Sequence, residues 1–179
     1  MSELRIYPEE DSSSFTIETD HGAIGDALLE IGVRFERWTA TAEFGPQASP
    51  DEVLAAYRAD VDRIIEESGF QSVDVISLHP EHPKKIELRH MFLDEHIHDD
   101  FEIRFFVEGA GQFYLHVAGQ VFQVLCTQGD LISVPAGTPH WFDMGPQPSF
   151  KCIRFFTTPE GWVARYTGTD LAGRFPRFE

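Results

Sequence analysis

Cysteine is scarce in this chain: Cys126 and Cys152 are the only two in 179 residues, and each lies inside an apolar, strand-like run. That count argues against a disulfide-stapled scaffold. With no secretory signal in view, the pair reads as buried thiols of a cytosolic protein. Basic residues are also few, 14 Lys and Arg against 30 Asp and Glu, for a net charge of −16. Duplex binding depends on cations that neutralise phosphate, so no nucleic-acid partner is expected. No apolar run is long enough to span a bilayer, so no membrane partner is expected either. Serine and threonine nucleophile motifs are missing, which leaves covalent hydrolase chemistry without support. Gly109-Ala-Gly111-Gln lacks the strand and helix needed on either side to cradle a pyrophosphate.

What is plentiful is apolar and aromatic: 42% hydrophobic residues, 13% aromatics and 16 Phe. Such a chain can bury a core, and its length suits one domain over residues 1–179, with no internal repeat or linker. Short strands are expected at Leu4 to Tyr7 and Phe15 to Ile17, then an amphipathic helix from Asp20 that breaks near Gly32, then extended chain from Val33 to Trp38. Ser49-Pro50-Asp51-Glu52 carries a capping box with proline at the first helical position. Val53, Leu54, Tyr57, Val61, Ile64 and Ile65 follow at helical spacing, so one helix is expected from Ser49 to Ser68, stopped by Gly69.

Beyond Gly69 the pattern turns to β. Strands are expected at Val73 to Leu78, in a run around Ile86 to Leu93, and at Ile103–Val107, Gln112–Val117, Gln120–Cys126, Asp130–Val134, Thr138–Asp143 and Phe150–Thr157. Turn residues separate them, Glu108-Gly-Ala-Gly111 among them. The fold class is therefore mainly β, a sandwich or barrel with N-terminal helices packed outside it. The tail after Pro159, with Trp162 and Tyr166, carries no clear assignment.

The chemistry concentrates in Glu95-His96-Ile-His98-Asp-Asp-Phe101-Glu102. His96 and His98 alternate at the strand period, so both imidazoles leave one face, and Glu102 follows after three residues. His-x-His also arises in ordinary loops, and this chain has carboxylates everywhere. The rival cluster His79-Pro80-Glu81-His82-Pro83 is read as a solvated loop. Arg104, two residues past Glu102, shares its side of the strand, where it either reaches the barrel mouth or pairs with a carboxylate. Arg154 shares a face with Cys152 and Phe156 and needs a partner for its charge. Phe92, Phe142 and Trp162 are candidate walls of a substrate pocket, although such residues are more often simply core.

The spacing His96-x-His98-x3-Glu102-x6-Gly109, followed by Gly129-x5-Pro135-x-Gly137-x2-His140, resembles the paired motifs of the cupin superfamily and spans residues 95–144. Two departures stand out, neither at a ligand: His90 replaces the glycine that opens the first motif, and Met144 replaces the asparagine that ends the second. The resemblance implies a double-stranded β-helix, or jelly-roll, barrel and one divalent ion held by His96, His98, Glu102 and His140. Within that superfamily, Phe92 to Phe105, Gly109 to Tyr114 and Gly129 to Asp143 resemble the acireductone dioxygenases of methionine salvage. That likeness implies one Fe2+ or Ni2+ per chain and cleavage of acireductone, 1,2-dihydroxy-5-(methylsulfanyl)pent-1-en-3-one, by O2. It also implies Arg104 as a catalytic cation and Glu95 and Phe101 as supports of the site. A monomer in the cytoplasm is expected. A non-catalytic ligand- or metal-binding cupin, or another cupin dioxygenase, would keep the same four ligands.

Overall fold

The computed structural model describes residues 1–45 and 47–179. In chain order its elements are β1 (Glu3–Pro8), β2 (Thr16–Glu18), α1 (His21–Glu30), β3 (Arg34–Arg37), α2 (Pro50–Ala56), α3 (Arg58–Ser68), β4 (Ser72–Leu78) and α4 (Lys85–Leu93). Then come β5 (His96–Ile97), β6 (Glu102–Val117), β7 (Gln120–Thr127), β8 (Asp130–Val134), β9 (His140–Asp143), β10 (Phe150–Phe156), β11 (Arg165–Tyr166) and a short 3-10 turn at Leu171–Arg174.

One strand organises the β structure. The first half of β6 pairs with β8 and β10, while its second half pairs with β7 and β9, all antiparallel. Two layers result, β3-β8-β6-β10-β4 and β2-β1-β7-β6-β9-β5-β11. The bend between them falls at Gly109, where φ is +72° and an added Cβ would lie 1.8 Å from the Ser149 carbonyl oxygen. Only glycine tolerates both constraints. The Glu108 to Gly111 segment was expected to end one strand and begin another. It instead lets one 16-residue strand pass from layer to layer.

Between the layers Phe106, Phe113, Phe142, Phe150, Cys126 and Cys152 form the barrel core. Val53, Tyr57, Val61 and Ile64 lay α2 and α3 on the outside of the first layer, against Phe105, Leu131, Ile153 and Phe155. The second layer is covered by the C-terminal segment, whose Leu171, Ala172 and Phe175 pack on Tyr7, Tyr114 and Trp141. With both faces covered, strands such as β8 are buried throughout and show no alternation of apolar and polar residues. The mainly β barrel with helices outside it is as expected.

Two further elements differ from expectation, and the tail gains an assignment. The helix proposed from Ser49 to Ser68 is two, interrupted at Tyr57, where φ is −115° and ψ is 23°. The Tyr57 ring stands edge-on to Phe105, with centroids 5.3 Å apart, and its hydroxyl accepts from the Ala42 amide. The cap at Ser49 and the left-handed stop at Gly69 are both present. The run Ile86 to Leu93, expected within the β region, is the helix α4. Leu88 and Phe92 pack on the core and Leu93 is buried, but Ile86 and Met91 are apolar yet exposed, and they blur the helical period. The tail contributes β11, which pairs Tyr166 with His96 and so reaches the candidate site.

Candidate metal centre

His96 and His140 lie directly opposite each other across β5 and β9, and His98 follows two residues after His96. The three side chains are buried, and their candidate ligand nitrogens all lie within 4.8 Å of one another. Each ring is oriented by the same device. Nδ1 of His96 donates to the Asp94 carbonyl (2.8 Å), Nδ1 of His98 to that of Val163 (3.0 Å), and Nδ1 of His140 to that of Thr138 (2.8 Å). A neutral imidazole that donates from Nδ1 carries its lone pair on Nε2. Three lone pairs therefore face a common point.

Glu102, at the start of β6, lies beside them. Its Oε2 lies 3.2 Å from His98 Nε2 and 3.1 Å from His140 Nε2, and its Oε1 accepts from Arg104 Nε at 2.5 Å. Burial opposes ionisation of this carboxyl, but the Arg104 charge, and hydrogen bonds from His140 and His98 when those rings are protonated, hold its pKa well below the usual range. Burial, reinforced by His140, pushes His96 down to about 4. At His98 burial acts the same way but is outweighed by the hydrogen bond and charge of Glu102, so its pKa is raised. A carboxylate oxygen and imidazole lone pairs at these distances repel unless a proton or a cation stands between them. Neutral imidazole nitrogens with a carboxylate oxygen suit a divalent transition-metal ion. This is a buried three-histidine metal site.

Behind it, Arg104 is buried, and its guanidinium carbon lies 4.5, 5.0 and 5.5 Å from the ring centres of Phe142, Phe113 and Phe92. Of the two placements open for Arg104, pairing with a carboxylate is the one seen. Its Nη1 is buried without a partner among the described residues. In front of the histidines opens a cavity of about 420 Å³, whose walls include Phe92, Arg154 and Trp162 together with Ile76, Leu88 and Met91. Phe142 is not among its walls; it lies deeper, 1% exposed, against the Arg104 guanidinium.

Glu95 points away from the metal centre and accepts from Thr167 Oγ1 (2.6 Å), with His116 Nδ1 2.9 Å from its other oxygen. Phe101 is 46% exposed and lies outside the cavity. His79 and His82 stack edge to face in a turn, and no third ligand joins them among the described residues. Two contributors escaped sequence reasoning. One is Val163, whose carbonyl orients His98 from 65 residues away. The other is Asp100, which takes the Thr157 and Thr158 amides and so pins the turn leading to Val163. A backbone carbonyl leaves no trace in side-chain spacing, and Asp100 is one carboxylate among 30.

Comparison with known proteins agrees with this geometry. The family model described as "ARD/ARD' family" matches residues 6–164. The chain is 56% identical to an acireductone dioxygenase of Stenotrophomonas maltophilia (strain R551-3), covering 99% of this chain and 97% of the relative. It is also 56% identical to the acireductone dioxygenase of Aquifex aeolicus (strain VF5), over 100% and 97%. Among solved structures, acireductone dioxygenase from Bacillus anthracis with a cadmium ion in its active center superposes with a TM-score of 0.83 at 31% identity, covering 93% of this chain and 98% of that one. The barrel is therefore cupin-like, as its motifs implied, and the chain belongs to the ARD/ARD' family of acireductone dioxygenases.

Proposed function

We propose that this protein is a metal-dependent dioxygenase that cleaves acireductone with O2 in methionine salvage. The observation that carries the reading is the convergence of three Nε2 lone pairs, each ring locked through Nδ1, at the head of a largely apolar cavity. The ion is Fe2+ or Ni2+, one per chain, with Glu102 Oε2 as the fourth protein ligand beside His96, His98 and His140. Bound there, it supplies chelation of the two enediol oxygens and withdrawal of charge from them. By family resemblance, iron directs the reaction to formate and 4-methylthio-2-oxobutanoate, and nickel to formate, carbon monoxide and 3-methylthiopropanoate.

The chain's own residues prepare the substrate. Arg104 holds Glu102 through Nε and has Nη1 left to donate to an enediol oxygen. That contact favours loss of the second proton, because a fixed positive charge stabilises the dianion. Phe142 keeps the guanidinium in place, while Phe92, Arg154 and Trp162 wall the cavity around the methylthio tail. Glu95 and Phe101 act as supports. We read residues 1–179 as one cupin-type domain, a monomer of the cytoplasm. Metal analysis of protein from defined medium, followed by oxygen uptake with acireductone and identification of formate, tests the assignment. Metal-loaded protein that consumes no oxygen would refute it.

A further inference from the structure

We propose that Asp74 is a positioning residue that neutralises Arg154 and so makes the cavity select an enediol with an uncharged tail over one whose tail is anionic. This rests on the enediol reading of the cavity. Arg154 on β10 lies directly opposite Asp74 on β4 and directly opposite Arg104 on β6. Residues so paired project from the same face of a sheet, so one row across three strands reads acid, base, base, with Glu102 on that face two residues along β6 from Arg104. Two guanidiniums side by side repel. Each is held by its own carboxylate: Arg104 Nε by Glu102 Oε1, and Arg154 Nε and Nη2 by Asp74 Oδ1 and Oδ2 at 2.8 and 2.7 Å.

The consequence falls on the cavity. Apart from the metal-site imidazoles, Arg154 is the one cationic side chain among the described residues that line it, beside apolar Ile76, Leu88, Met91 and Trp162. Left free, that guanidinium would offer a forked anion site to the end of a substrate's tail. Held bidentate by Asp74 and over the Phe156 ring at 5.5 Å, it is instead half of a neutral ion pair. The Asp74 carboxylate is 44% exposed, so it also repels an approaching anion. An apolar tail meets neither effect.

The test compares wild type, Asp74→Asn and Asp74→Asn/Arg154→Gln, all metal-loaded and free of oxygen. Calorimetry measures binding of two enediols, one with a plain alkyl tail and one whose tail ends in a carboxylate. Wild type should favour the alkyl tail. Asp74→Asn should shift the affinity ratio toward the carboxylate by about tenfold or more, the scale of one charge-assisted hydrogen bond, and the double variant should restore the wild-type ratio. A second readout needs no substrate. Trp162 is the exposed tryptophan, at 55%, while Trp38 and Trp141 are buried, so quenching of fluorescence by iodide reports charge at the cavity mouth. Iodide quenching, relative to neutral acrylamide, should rise in Asp74→Asn and not in Glu66→Gln, which removes an exposed charge on α3. An unchanged enediol ratio with unchanged iodide quenching would overturn the proposal. Should wild type bind neither enediol, the acireductone reading fails, while the iodide measurement still decides the charge role of Asp74.

Discussion

His96 shows how a ligand is prepared by burial. Its pKa of about 4 keeps the ring neutral in the folded state, whereas an unfolded chain protonates it through about 6.5. Between those values the unfolded state binds more protons, so metal-free protein should lose stability as the pH falls from 6.5 to 4, by on the order of 3 kcal/mol. Urea midpoints across that range should show the loss in wild type and its flattening in His96→Gln. His98 has the opposite sign: its pKa is raised, so its contribution is full below 6.5 and fades as the pH climbs through the raised value. Arg104 separates turnover from metal retention. Arg104→Ala should keep the ion on the three histidines yet lose about one to two decades in rate, with less substrate dianion formed on anaerobic binding. Metal content and anaerobic absorbance on the same preparation decide it. Retained metal with undiminished dianion would remove the role.

Among the elements, β6 and the α2–α3 pair are most exposed to test. Gly109→Ala must place a methyl group where the Ser149 carbonyl already sits, at a positive φ, and so should destabilise by several kcal/mol and scatter both layers. Ile64→Ala removes a fully buried side chain from the helix–sheet interface and should cost about 2 to 5 kcal/mol without altering metal stoichiometry. Denaturant titration with metal analysis checks both, and metal loss in Ile64→Ala would mean that the outer helices hold the site directly. The element assignments were legible where one face dominates. The α3 stripe and the Ser49 cap were plain, but α4 was not, since apolar Ile86 and Met91 face solvent and hide the period of Leu88 and Phe92. Gly-Ala-Gly after Glu108 reads as a turn in any local pattern, and only the pairing of β6 with four neighbours reveals it as a bend.

For the molecule as a whole, strand outweighs helix, so circular dichroism should be β-dominated. A barrel whose layers share β6 should melt in one transition, and two separate transitions would contradict the one-domain reading. The metal-binding pattern was already written in the chain, because His96-x-His98 uses the two-residue period of extended backbone and the glycine and proline turns fix where His140 begins its strand. Local geometry suffices for that. Spacing cannot supply the Val163 carbonyl behind His98, the depth of Phe142, or the row Asp74–Arg154–Arg104, since each depends on which strands lie side by side. Cross-strand register is set by packing of the entire barrel, and so the metal site can be read from two short motifs, whereas their meeting across β5 and β9 and the residues that tune the cavity are joined only by the fold.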